Sequence, residues 1–133
     1  MGSPPMNFMN GILKRKNGKL FFDEGNFLLG ILDKMAGQLS SYVDKEIIFG
    51  ISPENSYDKL FVTEAEPENT ISVTVDVVEP MGSEVYLYLN SEKHSFMAKV
   101  TSRSTPEIFK KLDVVLDMSK AHFFDKETEK TIV

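Results

Sequence analysis

Apolar and polar residues alternate through much of this chain, and alternation predicts strands. From Thr70 to Glu79, the residues Ile71, Val73, Val75 and Val77 are expected to share one face. From Glu84 to Leu89, Val85, Leu87 and Leu89 fall on one side and Tyr86 and Tyr88 on the other. Met6 to Lys14, Lys19 to Phe22, Phe27 to Leu29, Glu46 to Ile51, Phe96 to Val100 and Val114 to Asp117 read as further strands. Asn17-Gly18 between Lys16 and Lys19 predicts a two-residue type I′ hairpin loop, in which both central residues take positive φ. Asp23 to Asn26 and Pro80 to Ser83 predict two more turns. Pro53 is expected to hold Ser52 extended and close the strand before it. One short helix is predicted, capped by Asp33, with Met35, Leu39 and Tyr42 or Val43 recurring at helical spacing. Gly37 inside it costs about 1 kcal/mol against alanine. Many short strands, frequent turns and one helix describe an all-β domain with a barrel-like or sandwich core.

Length and composition keep that picture and narrow the function. A chain of 133 residues fits one domain with a core of its own. Apolar residues make up 41% and charged residues 26%, the balance of a globular chain. No apolar run reaches the roughly 18 residues of a membrane span. There are no cysteines, so disulfides and thiolate metal sites are excluded. The net charge of −5 argues against general nucleic-acid binding, which needs a basic field.

The chemistry-bearing residues are few. The glycines form neither a G-x-x-x-x-G-K-[ST] phosphate cradle nor G-x-G-x-x-G, and there is no G-x-S-x-G or H-E-x-x-H. His94 is expected on a strand surface. His122 is read as a turn residue, with a general base in a small hydrolase as the sharper alternative. Val114 to Asp117 has the shape of a strand delivering an aspartate to magnesium, but no cradle accompanies it, and a structural role is expected. Lys14, Arg15, Lys16 and Lys19 can grip phosphates or simply solvate a hairpin tip; the second is favoured. Tyr86 and Tyr88 can stack bases or pack a sheet, and packing is favoured. The acidic loop from Glu64 to Asn69 lacks calcium-loop spacing and is expected to be solvated.

Four stretches, in order, carry a resemblance. Gly2 to Phe8 (GSPPMNF) resembles a G-S-P-x-M-N-f segment. Ile48 to Glu54 (IFGISPE) resembles l-G-I-R-P-E. Val77 to Tyr88 (VVEPMGSEVYLY) resembles V-E-x-x-G-s-E-x-y-l-y. Ala121 to Asp125, followed by Ile132, resembles h-x-F-D-x-x-t-g-x-x-i. Together they resemble the C-terminal regulatory domain, OB-fold-like and also called TOBE or MOP-like, of the ATP-binding subunits of maltose-type carbohydrate ABC importers. Ser52 stands in the place of the family arginine, and the glycines usual near Lys110 to Asp113 and Glu127 to Glu129 are missing.

The resemblance implies an OB-fold-like barrel over residues 6–133, preceded by a stub at 1–5 left from an excised fragment with Met1 added. It implies a regulatory and dimer-contact role without catalysis here, while the parent subunit hydrolyses ATP. ATP and magnesium then belong to the missing ATPase domain, and no cofactor or metal to this piece. The implied partners are a second copy, the membrane-spanning subunits and, in some members, a regulatory protein, with no nucleic acid. The implied location is cytoplasmic, the parent lying against the inner face of the cell membrane. Glu79, Gly82 and Glu84 match the turn on the family's regulatory face; His122, Phe124 and Asp125 match its closing turn, with Phe124 expected to be buried. The competing reading is a free-standing OB module for oligonucleotide or an oxyanion.

Overall fold

The computed structural model describes residues 5–63 and 65–133. Most of the expected stub and Glu64 of the acidic loop lie outside those residues. Ten strands form two five-stranded antiparallel sheets around a shared core. The first sheet contains β1 (Asn7–Lys16), β2 (Lys19–Asp23), β3 (Leu28–Gly30), β4 (Glu46–Ile51) and β10 (His122–Asp125), in the order β10-β4-β1-β2-β3. The second contains β5 (Ser56–Asp58), β6 (Thr70–Met81), β7 (Glu84–Asn90), β8 (Ser95–Thr101) and β9 (Lys111–Leu116), in the order β5-β9-β6-β7-β8. Strand β8 also lies against β5, so this sheet nearly closes on itself. The all-β, OB-fold-like barrel with one short helix is therefore what forms.

The turn chemistry works as the residues dictate. Asn17 and Gly18 take φ of 52° and 79°, and the β1–β2 hairpin closes with Lys16 opposite Lys19. Strand β1 changes partner along its length. Asn7 to Ile12 pair with β4, and Ile12 to Lys16 pair with β2. Gly11 sits at the corner, where an added Cβ would lie 2.6 Å from the Asp23 carbonyl oxygen and the Phe22 ring. Only glycine permits that approach.

Helix α1 (Asp33–Leu39) buries Met35 and Leu39. Asp33 is its first helical residue and not its cap. Leu32 holds the cap position with no side-chain bond, so the Asp33 carboxylate acts only through its charge in the first turn. Ser52 is extended, with φ −77° and ψ 146°, and a 3-10 turn at Pro53–Asn55 follows.

Two strands depart from the expectation drawn from the sequence. In β5 the polar Ser56 and Asp58 point inward and Tyr57 outward. The buried Asp58 is satisfied by the Ser104 hydroxyl at 2.6 Å and the Leu60 N–H at 3.0 Å. Strand β10 replaces the expected closing turn. Its pleat sends Phe123 into the core and His122 and Phe124 outward. Phe124 is half-buried outside the sheet, edge-on to Phe8 at 5.6 Å, so the buried ring of this motif is Phe123 and not Phe124. Phe123 meets Phe49 at 5.5 Å and Phe22 at 6.1 Å, an aromatic trio from β10, β4 and β2.

A side chain joins the two sheets where no backbone ladder does. The Asn7 carboxamide donates to the Met97 carbonyl at 2.7 Å and accepts from the Met97 N–H at 3.0 Å. It occupies one rung on the free edge of β8. Among the described residues, no helix is long and apolar enough to cross a membrane.

Candidate functional site

A bulge in β6 creates the surface on which the predicted site residues stand. Pairing with β7 steps from Val75 opposite Leu89 to Val77 opposite Tyr88, leaving Asp76 as the extra residue. The inward parity reverses there. Ile71, Val73 and Val75 are buried, whereas Val77 is 48% exposed, contrary to the single face expected from alternation. Beyond the bulge, Val78 packs against the core, and Val77, Glu79 and Met81 turn outward.

Opposed residues in antiparallel pairs share a face, so the register defines three outward rows across β6, β7 and β8. They are Val77, Tyr88 and Met97; then Glu79, Tyr86 and Lys99; then Met81, Glu84 and Thr101. Beneath them Val85, Leu87, Leu89, Phe96, Ala98 and Val100 fill the core. The Tyr88 hydroxyl donates to Glu79 Oε1 at 3.0 Å. That bond, with smaller contributions from desolvation and the carboxylate charge, raises the Tyr88 phenol above its ordinary value of 10.0. Glu84 pairs with Lys99 at 3.4 Å. Gly82 sits at the tip with φ of 73°.

Glu79 and Glu84 are thus brought onto one face, and Gly82 shapes the loop that joins their strands. Tyr86 and Tyr88 pack on that sheet, Tyr88 bonded to Glu79 and Tyr86 in the row of Lys99. Tyrosine and methionine with a polar margin are the composition of a protein contact surface.

The other candidates resolve into structure. Asp117 accepts from the Ser119 N–H at 3.1 Å and the Ser119 hydroxyl at 2.6 Å, capping a 3-10 turn at Met118–Lys120. Lys19 of the basic run is held by Glu68, whose hydrogen bond raises the lysine above 10.5. The loop after residue 64 folds as a 3-10 turn at Pro67–Asn69 with a capping box between Glu66 and Asn69. His122 stands on the outer face of β10, its ring 6.4 Å from Phe124, and bonds to no carboxylate among the described residues. The base–carboxylate pair of a hydrolase is not assembled there. Among the described residues, no group of three or more His, Asp or Glu side chains is placed to hold a metal ion.

His94 is not on a strand surface. It lies in the loop between β7 and β8, half-buried, with Nδ1 2.7 Å from Glu24 Oε2. No local spacing could reveal this pairing, because the two residues meet only when the sheets close on each other.

Two family models match in succession, the MalK OB fold domain over residues 2–55 and the TOBE domain over residues 65–123. The trehalose/maltose import ATP-binding protein MalK of Thermococcus litoralis is 40% identical, covering 99% of this chain and 36% of its own length. The oligosaccharides import ATP-binding protein MsmX of Bacillus subtilis is 35% identical over 97% of this chain and 35% of its own. The multiple sugar-binding transport ATP-binding protein MsmK of Streptococcus mutans is 36% identical, with 99% and 35% covered. The chain therefore spans about a third of the length of the curated relatives it matches. Among solved structures, the cytoplasmic molybdate-binding protein ModG, with molybdate bound, shares the fold at a TM-score of 0.64 and 14% identity, over 92% of this chain and 98% of that one.

Proposed function

The chain belongs to the MalK OB fold and TOBE family of sugar-importer ATP-binding subunits, and from that membership we propose that it serves as their regulatory and dimer-contact region. The supporting observation is the end-to-end match to three sugar-import ATP-binding proteins, each of which is about three times longer. In this reading, ATP and magnesium are bound by a part of the subunit outside this chain. The residues here do not fit a nucleotide. No backbone cradle is encoded, and the Asp117 carboxylate is already taken by Ser119. The outward rows of β6, β7 and β8, with Glu79 and Glu84, are the contact face toward a second copy or a regulatory protein. The membrane-spanning subunits are reached through the ATPase part, and the location is cytoplasmic.

A second reading, an oxyanion site, is favoured by the ModG fold. The cleft between β2, β3 and the β9 end opposes it, because Glu66, Glu68 and Asp117 line it and its one cation, Lys19, is paired. Calorimetry separates the two readings. The 133-residue chain should show no heat with Mg-ATP and none with molybdate at low salt. Micromolar binding of ATP would defeat the first reading, and saturable molybdate binding would establish the second.

A further inference from the structure

A buried carboxylate lies at the root of the ribbon that carries the contact face. Glu24, in the turn between β2 and β3, has a side chain with no exposure to solvent. It accepts from the Asn26 N–H at 3.0 Å, from the Ser91 hydroxyl and from His94 Nδ1 at 2.7 Å. Ser91 and His94 belong to the loop that turns β7 into β8, and the His94 N–H in turn donates to the Ser91 hydroxyl oxygen at 3.1 Å.

The other imidazole nitrogen fixes the proton. The backbone N–H of Asn10 in β1 donates to His94 Nε2 at 3.1 Å. An N–H can donate only to a bare nitrogen, so Nε2 carries no hydrogen and Nδ1 carries it, pointed at Glu24. The neutral ring is thereby strung between two elements, with Glu24 on one side and β1 on the other. A second proton would set an Nε2–H against the Asn10 N–H, donor facing donor, while strengthening the bond to the Glu24 carboxylate.

We propose that His94 is a proton-operated latch, which ties β1 to the β7–β8 loop when neutral and, when protonated, keeps Glu24 and releases Asn10. The charged groups around it are Asp23 of β2, Lys14 of β1, Glu46 of β4 and Lys93 of its own loop, which line the same cleft. Lys126, after β10, reaches the Asn10 side chain at 3.4 Å. Acid then frees β1 from the β7–β8 loop, which Glu24 and the Asn26 carboxamide still hold to the β2–β3 turn, and leaves the Asn7–Met97 rung between β1 and β8. The latch stands or falls independently of the importer reading.

Nuclear magnetic resonance of the isotopically labelled chain tests it. At neutral pH the His94 ring should show a protonated Nδ1 and a bare Nε2. As the sample is acidified, the Asn10 amide proton should shift upfield in step with the His94 ring carbons. The ring of His122, exposed on β10, is the internal control, and changes in its carbons should leave Asn10 unmoved. In Glu24→Gln, which keeps an acceptor but loses the charge, the acid-driven movement of the Asn10 amide should follow a different pH course from wild type. A proton on Nε2 at neutral pH, an Asn10 amide that stays still while His94 titrates, or an unmoved transition in a folded Glu24→Gln protein would each overturn the proposal. If that variant does not fold, the wild-type titration alone decides.

Discussion

Gly11 and Gly37 would answer the same substitution in opposite senses. At Gly11 a methyl group meets the Asp23 backbone oxygen and the Phe22 ring at 2.6 Å, and neither can retreat without moving β2 or the aromatic trio. Gly11→Ala should cost about 1–3 kcal/mol, the range for overpacking a filled core. Gly37 is exposed in α1 with nothing within 4 Å of its added Cβ, so Gly37→Ala should stabilise by about 0.5–1 kcal/mol. Urea midpoints at constant slope measure both. Asp125 gives a pH test at the same scale. The N–H groups of Thr128 and Glu127, each at 2.9 Å, hold its carboxyl below the ordinary 3.8. A depressed acid stabilises the fold fully above its unfolded value, and that contribution disappears as pH falls through the folded one. Asp125→Asn should therefore cost stability chiefly above about pH 4, where the wild-type carboxylate contributes fully, and flatten the loss that wild type shows below it.

At the scale of the element, the β6 bulge makes two similar valines behave differently. Val75 is 1% exposed and Val77 is 48% exposed. Val75→Ala should cost about 2 kcal/mol as a core truncation, whereas Val77→Ala should stay within about 0.5 kcal/mol. Equal costs in thermal unfolding would mean an unbroken strand. The bulge also marks where the sequence stops being legible. An apolar run locates β4 to the residue, and period-two patterning gives the faces of β7, where a buried apolar side alternates with a wetter one. It cannot register an extra residue such as Asp76, which changes parity without changing composition. It gives no sign of β5, where Asp58 is buried because Ser104, distant in sequence, supplies its partner. It places Phe124 inside because two adjacent phenylalanines offer no basis for choosing between them. The Glu24–His94 pair was invisible for a related reason: it exists only after the sheets meet. That Glu79, Gly82 and Glu84 lie together was legible because they share one hairpin.

Across the whole molecule, the last strand completes the first sheet. β10 pairs with β4 and delivers Phe123 to Phe22 and Phe49. The TOBE match ends inside this strand, at residue 123, while the strand's partner lies in the MalK OB fold match. The two matched regions are therefore interlocked and not two beads on a string. Ending the chain at Lys120 should abolish cooperative unfolding, since losing one buried phenylalanine already costs about 3–5 kcal/mol of a total near 5–15. Phe123→Ala should retain a weakened transition. Circular dichroism during thermal unfolding distinguishes the two.

That return of the chain also sets a clock during synthesis. One edge of β4 exposes Ile47, Ile48 and Phe49 until His122 to Asp125 emerge, about 70 residues later. At ribosomal speeds of roughly 5–20 residues per second, the wait is about 4–14 s. A bare, apolar strand edge is the kind of surface on which nascent chains pair wrongly with one another. A chaperone that covered β4 over those seconds would be masking an edge that the finished fold closes by itself.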